Sequence, residues 1–535
     1  MPLPRTTPYQ EGPKDAPICF VAEAPASVEM MRGRPLVGPT GQVFDECLLK
    51  ADLLRHSCHL ANVSRERIAS GEVLINSPEG RKWRDDLKGR LQDVSSNVLI
   101  PMGNLALWAL TGETKITKWR GSIIDSTLLP GRKVIPTLHP ASTLIGRGPY
   151  VGRYTIVDDL KRAVRESEFP EIRRPQRELI INPTSDHTMA FLDDLKNHEM
   201  YGFDIEIYNF QVSCISFAPN PQVSMCIPFV GDPWTVEQEA AIWAKIAWAL
   251  ALPDVMKIAQ WLVFDSSFLL TQNKIRVRPP YADTATAHRI LYPDFSSKLE
   301  YLCSIYTDEP YYKDDRKLWS KPFADPDTFY RYNARDSVVL PEIWTQLERK
   351  IDADEHYRWT YNNTMSMLEP CLFMQTRGIQ MDANRLEALK VETRAELERL
   401  EAELDAVAEI PFNPHSAPQC IKYFYGIKGY APYTNRKTGR PTCDDKALAR
   451  IVRKYNSKEG RLVQQIRANK KLLGTYIEVN FDKDGRLRCM YDPRGTTTGR
   501  LSSKKTVIET GLNMQNLHPK SKYFITVDKE VNDES

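Results

Sequence analysis

The sequence predicts a multidomain α/β protein, and three observations indicate this class. The chain has 535 residues, which is too long for one hydrophobic core. Short apolar runs alternate with helical stretches, such as 42–50 and 104–110, in the N-terminal part, a pattern typical of α/β domains. A predicted β-meander and a mainly helical region follow. We expect domains at 1–170, 171–350 and 351–535, with a Pro- and Arg-rich linker (ESEFPEIRRPQRE) between the first two.

Composition narrows the class of protein only slightly. The hydrophobic fraction of 42% and the charged fraction of 26% are those of an ordinary soluble globular protein. No apolar stretch approaches the ~20 residues of a membrane helix, and the polar start is unlike a secretory signal. We therefore expect a cytoplasmic protein with no membrane partner. The ten cysteines form no CxxC pair, which argues against a zinc ribbon, and the net charge of +3 neither demands nor excludes nucleic acid.

The middle region opens with three predicted strands. They cover residues 201–207, 212–218 and 223–229, and polar turns that contain Asn and Pro join them. This pattern predicts an antiparallel meander. Helices predicted at 236–251 and 297–306 follow. A meander followed by such elements fits a ribonuclease-H-like α/β fold.

Four acidic residues of this region are candidates for a functional site. In a strand, Asp204 and Glu206 project from the same face, where they repel each other unless a cation such as Mg²⁺ or Mn²⁺ lies between them. Asp265 interrupts an apolar run. Because burying an unpaired carboxylate costs several kcal/mol, this position implies a metal or another cation as its partner. On a predicted helix, Tyr332 and Asp336 are four residues apart and share one side.

In order and spacing these motifs resemble those of the DEDDy exonucleases that proofread for family A DNA polymerases. The connecting text DTATAHRILYPDFSSKLEYLCSIY also resembles that family. The resemblance implies hydrolysis with two Mg²⁺ or Mn²⁺ ions held by the four carboxylates, with Asp204 bridging both ions. Tyr332 would orient the attacking water. One position departs from the pattern, because Trp261 stands where the family usually has an Asn that helps to position substrate.

The C-terminal region combines a predicted amphipathic helix over 382–409 with the segments TTTGRLSS and NMQNLHP. These segments resemble the T-x-TGRLSS … NLQN signature of the thumb and palm entry of family A DNA polymerases. The resemblance implies contacts with primer–template DNA, for which basic and small polar side chains are suited. The matching positions are Arg500, Ser502, Ser503, Gln515 and Asn516.

The given sequence ends where the catalytic Asp motifs and the fingers Lys helix of that family would follow. We therefore expect no polymerase activity from this chain alone. It is either a fragment or one half of a split polymerase whose palm and fingers lie on a separate chain. Such a compact fusion is expected of a phage-type replication gene, which would place the protein in the cytoplasm of a bacterial host.

The N-terminal region resembles the family-4 type of uracil-DNA glycosylase, through VAEAPASVEMMRGRPLVGPTG, LANVSRER and VIPTLHPASTL. The resemblance implies that Glu23 aids attack on C1′, that Asn62 reads a flipped base and that His139 stabilises the departing uracil anion. Two positions depart from the family pattern. Leu36 replaces an aromatic stacker, and Glu66 stands where a cluster-binding Cys would lie, so we expect no iron–sulfur cluster.

These resemblances predict a DNA replication protein with a proofreading 3′→5′ exonuclease that acts on primer–template and single-stranded 3′ ends. Two alternatives stay open. One is a stand-alone DNA repair nuclease, and the other is a non-catalytic DNA-binding subunit that complements a separate palm subunit. The N-terminal region is either an active glycosylase or a domain that retains the fold for DNA contact or partner binding.

Overall fold

The computed structural model describes residues 7–68, 75–146, 148–315, 325–436, 438–479, 481–482 and 484–526. The chain forms two compact units. The first comprises Met1–Asp265 and Lys274–Met365, and the second comprises Ser266–Asn273 and Ser366–Ser535. The first unit holds two separate sheets and the second is mainly helical, which confirms the multidomain α/β class. No helix of the described ranges is long and apolar enough to cross a membrane.

The first sheet has a parallel centre and antiparallel edges, in the order β1-β3-β2-β4-β6-β5. Its strands are β1 (Gln10–Glu11), β2 (Ile18–Ala22), β3 (His59–Asn62), β4 (Val98–Pro101), β5 (Ile124–Asp125) and β6 (Lys133–Val134). The surrounding helices are α1 (Ser27–Arg32), α2 (Pro39–Lys50), α3 (Pro78–Leu91), α4 (Asn104–Thr111), α5 (Ile116–Trp119) and α6 (Gly152–Glu166). The helices predicted at 42–50 and 104–110 lie within α2 and α4.

Helices cover both faces of this sheet, so β2 is apolar on both sides. Phe20 points to the face where Phe44 of α2 and Leu160 of α6 pack. Val21 points to the opposite face, with Leu87 of α3. Alternation of side chains along a strand produces this division, and a strand buried on both faces has a continuous apolar sequence. The run ICFVA of β2 is therefore buried throughout.

The second sheet has the order β12-β11-β8-β9-β10-β7. Its strands are β7 (Glu178–Ile180), β8 (Met200–Tyr208), β9 (Gln211–Asn220), β10 (Val223–Pro228), β11 (Met256–Ala259) and β12 (Tyr281–Asp283). Antiparallel pairing of β8, β9 and β10 confirms the meander, whereas β11 runs parallel to β8 and β12. The prediction did not include β7, β11 and β12, because each has only 3 or 4 residues.

Helices of this part of the first unit include one long helix that crosses the meander. They are α7 (Ser185–Asp194), α8 (Val236–Ala249), α9 (Leu262–Phe268), α10 (Thr284–Leu291), α11 (Leu299–Tyr306), α12 (Pro326–Asp352) and α13 (Glu355–Ser366). The last residues of α9, from Ser266, and of α13, Ser366, belong to the second unit. The helices predicted at 236–251 and 297–306 correspond to α8 and α11, with ends that differ by two residues.

Close packing fixes α12 against the meander. A Cβ atom on Gly202 of β8 would lie 2.4 Å from the carbonyl oxygen of Ser337, so only glycine allows this approach. The Ser216 hydroxyl donates to the Asn333 carbonyl at 2.9 Å, and the Ser224 and Ser337 hydroxyls are 2.8 Å apart. These contacts set the position of α12 relative to β8, and both elements carry predicted site residues.

The predicted linker follows α6 and is attached to the structure around it. The Arg177 side chain is buried and pairs with Glu309 at 2.8 Å and Glu342 at 2.7 Å. Closer to α6, the Lys133 ammonium lies 3.7 Å from the centre of the Phe169 ring. The predicted domain boundary at 170/171 falls in this attached segment and stays a prediction.

The second unit is built around α15 (Ala383–Val407), which corresponds to the amphipathic helix predicted at 382–409. The helix buries its apolar stripe and packs against α18. The other helices are α14 (Leu368–Arg377), α16 (Ala417–Ile421), α17 (Asp445–Tyr455) and α18 (Lys458–Leu472). Two small antiparallel sheets pair β13 (Ile379–Gln380) with β14 (Arg486–Leu487) and β15 (Met490–Asp492) with β16 (Ser502–Lys504).

Candidate functional site

Three of the predicted acidic residues converge where β8 meets α12. One carboxylate oxygen from each of Asp204, Glu206 and Asp336 lies within 4.8 Å of the other two. Within the described ranges, this is the one group of three His, Cys, Asp or Glu side chains arranged to share a metal ion. Glu206 and Asp336 are buried and Asp204 is half-buried. Strand periodicity places the first two on one face, and the helix brings the third.

Asp265 lies beside this group but is not one of the three. It is on α9, and its Oδ1 accepts a hydrogen bond at 3.3 Å from the backbone N–H of Ile205, which lies between Asp204 and Glu206 in β8. Burial raises the pKa of Asp265 well above its ordinary value, and the charges of Asp283 and Glu206 add to this effect. The carboxylate that interrupts an apolar run in the sequence is therefore buried next to β8.

Asp204 is repelled by the other three carboxylates. Burial raises the pKa of Asp204 well above its ordinary value, with further contributions from Asp336, Asp265 and Glu206. The Asn333 amide holds this carboxylate, because its Nδ2 donates to Asp204 Oδ2 at 2.8 Å and to the Asp204 carbonyl at 3.2 Å. Sequence reasoning missed Asn333, although it lies three residues before Asp336 on the same side of α12.

Two further residues that sequence reasoning missed contact Asp336. The Lys313 ammonium donates to both carboxylate oxygens of Asp336 at 2.5 Å and to the Tyr332 hydroxyl at 3.2 Å. The Tyr312 hydroxyl donates to Asp336 Oδ1 at 2.6 Å. Burial opposes the charge of Lys313, but the attraction of Asp336 outweighs this and raises the pKa of Lys313. The signal in the sequence is the run YYK between acidic residues.

Trp261, the departure from the family pattern, has a left-handed backbone with φ of +67°. This conformation is tolerated by Asn and uncommon for bulky residues. The Asp283 carboxylate holds it by accepting the Trp261 N–H at 2.9 Å, and the Trp261 ring stacks on Phe264 with 5.3 Å between ring centres. An aromatic surface thus stands at the start of the helix that carries Asp265.

The predicted glycosylase residues lie at the carboxyl edge of the first sheet. Asn62 ends β3 and pairs with Ala22 at the end of β2, which Glu23 follows. His139 follows Thr137, which bridges to Met102 just after β4. Parallel strands place their carboxyl ends at one edge, where α/β folds bind ligands.

Local contacts position these side chains differently. Glu23 Oε1 accepts from the Leu105 N–H at 3.2 Å at the start of α4. His139 Nδ1 accepts from the Ala141 N–H at 3.2 Å. Asn62 Nδ2 donates to the Pro8 carbonyl at 3.4 Å, whereas Asn62 Oδ1 is buried without a hydrogen-bond partner in the described part of the chain.

The two departures in the glycosylase-like region have clear local structures. Leu36 is buried with φ of +49°, and its carbonyl accepts from Arg55 Nη1 at 2.9 Å. The Glu66 N–H donates to the Ser64 hydroxyl at 3.0 Å. All ten cysteines are buried free thiols, and Cys19, Cys47 and Cys58 belong to the apolar cores of this region.

The predicted DNA-contacting residues of the second unit lie in one turn-rich segment around β16. Arg500, Gln515 and Asn516 are exposed, and Ser502 is half-buried within β16. The Ser503 hydroxyl donates to Asn513 Oδ1 at 2.7 Å, and Gln515 Nε2 donates to the Leu501 carbonyl at 2.7 Å. The structure therefore uses Ser503 and Gln515 to join the two predicted DNA-binding motifs to each other.

Three family models match successive parts of the chain. The uracil DNA glycosylase superfamily matches residues 9–150, the 3′-5′ exonuclease model matches 180–352 and the DNA polymerase family A model matches 383–529. The type-4 uracil-DNA glycosylase of Thermotoga maritima is 32% identical over 155 residues, covering 29% of this chain and 79% of that protein. The thermostable DNA polymerase I of Thermus filiformis is 32% identical over 169 residues, covering 30% of this chain and 19% of that protein.

One solved structure aligns with a larger part of the chain. It is the POL domain of Pol1 from M. smegmatis in complex with DNA primer-template and dNTP. The alignment has a TM-score of 0.48 and 18% identity, and it covers 65% of this chain and 57% of that chain.

The domain matches define a DNA polymerase-related protein with a glycosylase-like N-terminus. Through its N-terminal region, the chain belongs to the type-4 uracil-DNA glycosylase family. It spans only 19% of the length of the Thermus filiformis polymerase. The exonuclease domain implies use of a divalent metal, and the exonuclease and polymerase domains imply binding of DNA.

The raised pKa values of Asp204 and Asp265 predict how metal ions and pH affect stability. Their ordinary pKa is 3.8. A raised pKa in the folded state stabilises the fold below the ordinary value, and this stabilisation is lost as pH rises through the folded pKa. At neutral pH these two carboxyl groups therefore lower the free energy of unfolding of the metal-free protein. Mn²⁺ at about 100 times its dissociation constant should restore about 2.7 kcal/mol.

Calorimetric melting of the full chain with and without Mn²⁺ checks this prediction. Mn²⁺ should raise the melting temperature near neutral pH and have little effect below about pH 4, where carboxyl groups are protonated. Asp204→Asn should raise the melting temperature of the metal-free protein at neutral pH and abolish most of the Mn²⁺ effect. An Mn²⁺ effect that is equal at both pH values would contradict the assignment.

Proposed function

We propose that the middle region is a two-metal 3′→5′ DNA exonuclease. The convergence of Asp204, Glu206 and Asp336 within 4.8 Å is the observation that carries this proposal. Asp265 adds a fourth carboxylate, which is buried beside them. The match of residues 180–352 to the 3′-5′ exonuclease model supports the same reaction, and DNA with a free 3′ end is the proposed substrate.

The donor set fits Mg²⁺ or Mn²⁺. All four side chains offer hard carboxylate oxygens, which these ions prefer. Burial, together with repulsion from the other three carboxylates, raises the pKa of Asp204. Asp204, Glu206 and Asp336 would hold one ion, and Asp265 would support a second ion together with Asp204. When bound, such ions stabilise the charge that develops on the attacking and leaving oxygens of a phosphodiester.

The protein's own groups set the geometry of this reaction. Asn333 orients Asp204 through its amide, as groups behind metal ligands commonly do. Tyr332 presents its hydroxyl beside Asp336 and is held by ring contacts with Phe329 and Tyr312. The hydroxyl can accept from or donate to a water molecule, so Tyr332 would orient the attacking water.

The second unit, most of which follows the exonuclease region in the sequence, would bind DNA. Arg500 is exposed, and guanidinium groups bind phosphates through charge-assisted hydrogen bonds. The exposed amides of Gln515 and Asn516 and the hydroxyl of Ser502 offer polar contacts to the DNA backbone or base edges. We propose primer–template DNA as the partner of this segment, in line with the match to DNA polymerase family A over 383–529.

Digestion of a 5′-labelled single-stranded oligonucleotide by the full chain tests the exonuclease. With Mg²⁺ or Mn²⁺, products should shorten stepwise from the 3′ end. Asp204→Ala should abolish shortening, and Asn333→Ala should lower the rate about 10- to 100-fold, as loss of a group behind a metal ligand does. The control is Asp294→Ala, because Asp294 is an exposed residue of the same region.

Undiminished digestion by Asp204→Ala, or release of the 5′ label as the first product, would refute the exonuclease proposal.

A second activity is favoured by one observation in the N-terminal region. The buried Asn62 Oδ1 has no hydrogen-bond partner among the described residues, and buried polar atoms normally have one. A base flipped into the carboxyl edge of the sheet could supply it, since such bases are read on their hydrogen-bonding edges. We propose that Asn62 reads uracil there, with Glu23 and His139 acting on the glycosidic bond and the departing base.

Alkali treatment after incubation with a uracil-containing oligonucleotide detects this activity as strand cleavage at the uracil. The full chain should produce cleavage, and Asn62→Ala and His139→Ala should each lower it strongly. His56→Ala is a matched control, because His56 is an exposed histidine of the same region. If the natural full chain cleaves the oligonucleotide no more than His139→Ala does, the glycosylase proposal is rejected and a role of this region in DNA contact is favoured.

A further inference from the structure

A short segment joins the glycosylase-like region to the carboxylate site. We call residues 307–315 (TDEPYYKDD) the strap; it follows α11 (Leu299–Tyr306). Some residues of the strap contact the first sheet and its helices, which form the glycosylase-like region and are called the first-sheet region below. Others contact the second sheet and its helices, which carry the carboxylate site. The strap is therefore a physical connection between the two sheets of the first unit.

Ionic and aromatic contacts attach the strap to the first-sheet region. The Lys118 ammonium donates to both carboxylate oxygens of Asp314 at 2.6 and 2.7 Å. The Tyr311 N–H donates to the Ser122 hydroxyl at 3.1 Å, and the Tyr311 ring contacts Trp119 edge-on. At the start of the strap, Asp308 accepts from two arginines of α6 at 2.9 and 3.2 Å.

A buried ion pair makes this attachment firm. Arg120 pairs with Asp159, and both side chains are almost completely buried. Arg120 Nη1 also donates at 2.6 Å to the hydroxyl of Ser304 on α11, the helix that leads into the strap. Removing one partner of a buried, hydrogen-bonded pair is strongly unfavourable, so α11 has a fixed position on the first-sheet region.

At its other contacts the strap reaches the carboxylate site. Tyr312 and Lys313 both bind Asp336, and Lys313 also contacts the Tyr332 hydroxyl. Asp314, the next residue, is the one held by Lys118. Asp314, through which the strap is attached to the glycosylase-like region, is therefore the sequence neighbour of Lys313. The Lys313 ammonium contacts the candidate metal ligand Asp336.

We propose that Lys313 is an internal cation that competes with the catalytic metal for Asp336, and that the glycosylase-like region tunes this competition by holding the strap. The inference rests on the proposed exonuclease site. Lys313 contacts both Asp336 oxygens at 2.5 Å, so a metal that binds Asp336 must displace the ammonium from at least one of them. If Lys313 has released Asp336 in only a fraction of the molecules, the apparent affinity for the metal is reduced to that fraction of its intrinsic value.

Binding of Mn²⁺ to the metal-free full chain, measured by the paramagnetic resonance signal of free Mn²⁺, tests this competition. Lys313→Met keeps the aliphatic stem but removes the charge, and it should tighten Mn²⁺ binding by about 5-fold or more, the lower end of typical coupling between sites. Lys313→Arg keeps the charge and should bind Mn²⁺ with an affinity close to that of the natural protein.

The anchor is tested at Lys118, which lies outside the carboxylate site. Lys118→Met should tighten Mn²⁺ binding by about 2-fold, in keeping with the modest strength of partly exposed ion pairs. In combination with Lys313→Met it should add nothing, because both changes act through one contact. The matched control is Lys14→Met, since Lys14 forms an exposed ion pair with Asp93 in the same region.

Different outcomes would contradict the metal competition, the tuning by the glycosylase-like region or the exonuclease site itself. Unchanged or weaker Mn²⁺ binding by Lys313→Met, with melting like that of the natural protein, would overturn the competition. Should Lys313→Met not fold, tightened Mn²⁺ binding by Lys118→Met would still support the proposal, and unchanged binding by Lys118→Met would overturn tuning by the glycosylase-like region. Failure of the natural protein to bind Mn²⁺, or binding that survives Asp204→Ala, would instead contradict the proposed exonuclease site.

Discussion

Buried negative charge at the junction of β8 and α12 is the constraint on which the rest of the middle region depends. Asp204, Glu206, Asp265 and Asp336 lie close together, and burial together with mutual repulsion raises the pKa of Asp204 and Asp265. Cations that compensate this negative charge stabilise such a cluster. Lys313 supplies one positive charge, and a divalent metal would supply more. Binding of the proposed metal would recover the free energy that the fold loses by gathering the carboxylates.

The same constraint explains the packing around the site. Gly202 lets α12 approach β8, and the hydroxyls of Ser216 and Ser224 attach the helix to the neighbouring strands. Carboxylates on a strand and a helix can share an ion only if these elements are held at a fixed separation, because metal ligands need positions accurate to fractions of an ångström. Small residues on β8, β9 and β10 therefore set the separation that the proposed metal site needs, although they do not contact the carboxylates themselves.

Sequence periodicity was sufficient for part of this site and insufficient for the rest. Alternation in a strand places Asp204 and Glu206 on one face, and four-residue spacing in a helix joins Tyr332 to Asp336. This spacing, together with the resemblance to the DEDDy exonucleases, named these residues without coordinates. Lys313 belongs to an irregular segment, and no periodicity relates it to Asp336. In the glycosylase-like region the family resemblance named Glu23, Asn62 and His139, but periodicity does not relate them. The order of parallel strands brings them to one edge, and sheet order is a tertiary property that local sequence does not contain.

Diffraction from crystals soaked in Mn²⁺, recorded at the manganese absorption edge, would locate the metal ions themselves. We expect anomalous peaks at the carboxylate site, with one ion contacting Asp204, Glu206 and Asp336 and a second ion supported by Asp265. We also expect the Lys313 ammonium to leave at least one oxygen of Asp336. Crystals without a peak at these carboxylates, in which Lys313 keeps both contacts with Asp336, would contradict the assignment of a metal-dependent nuclease.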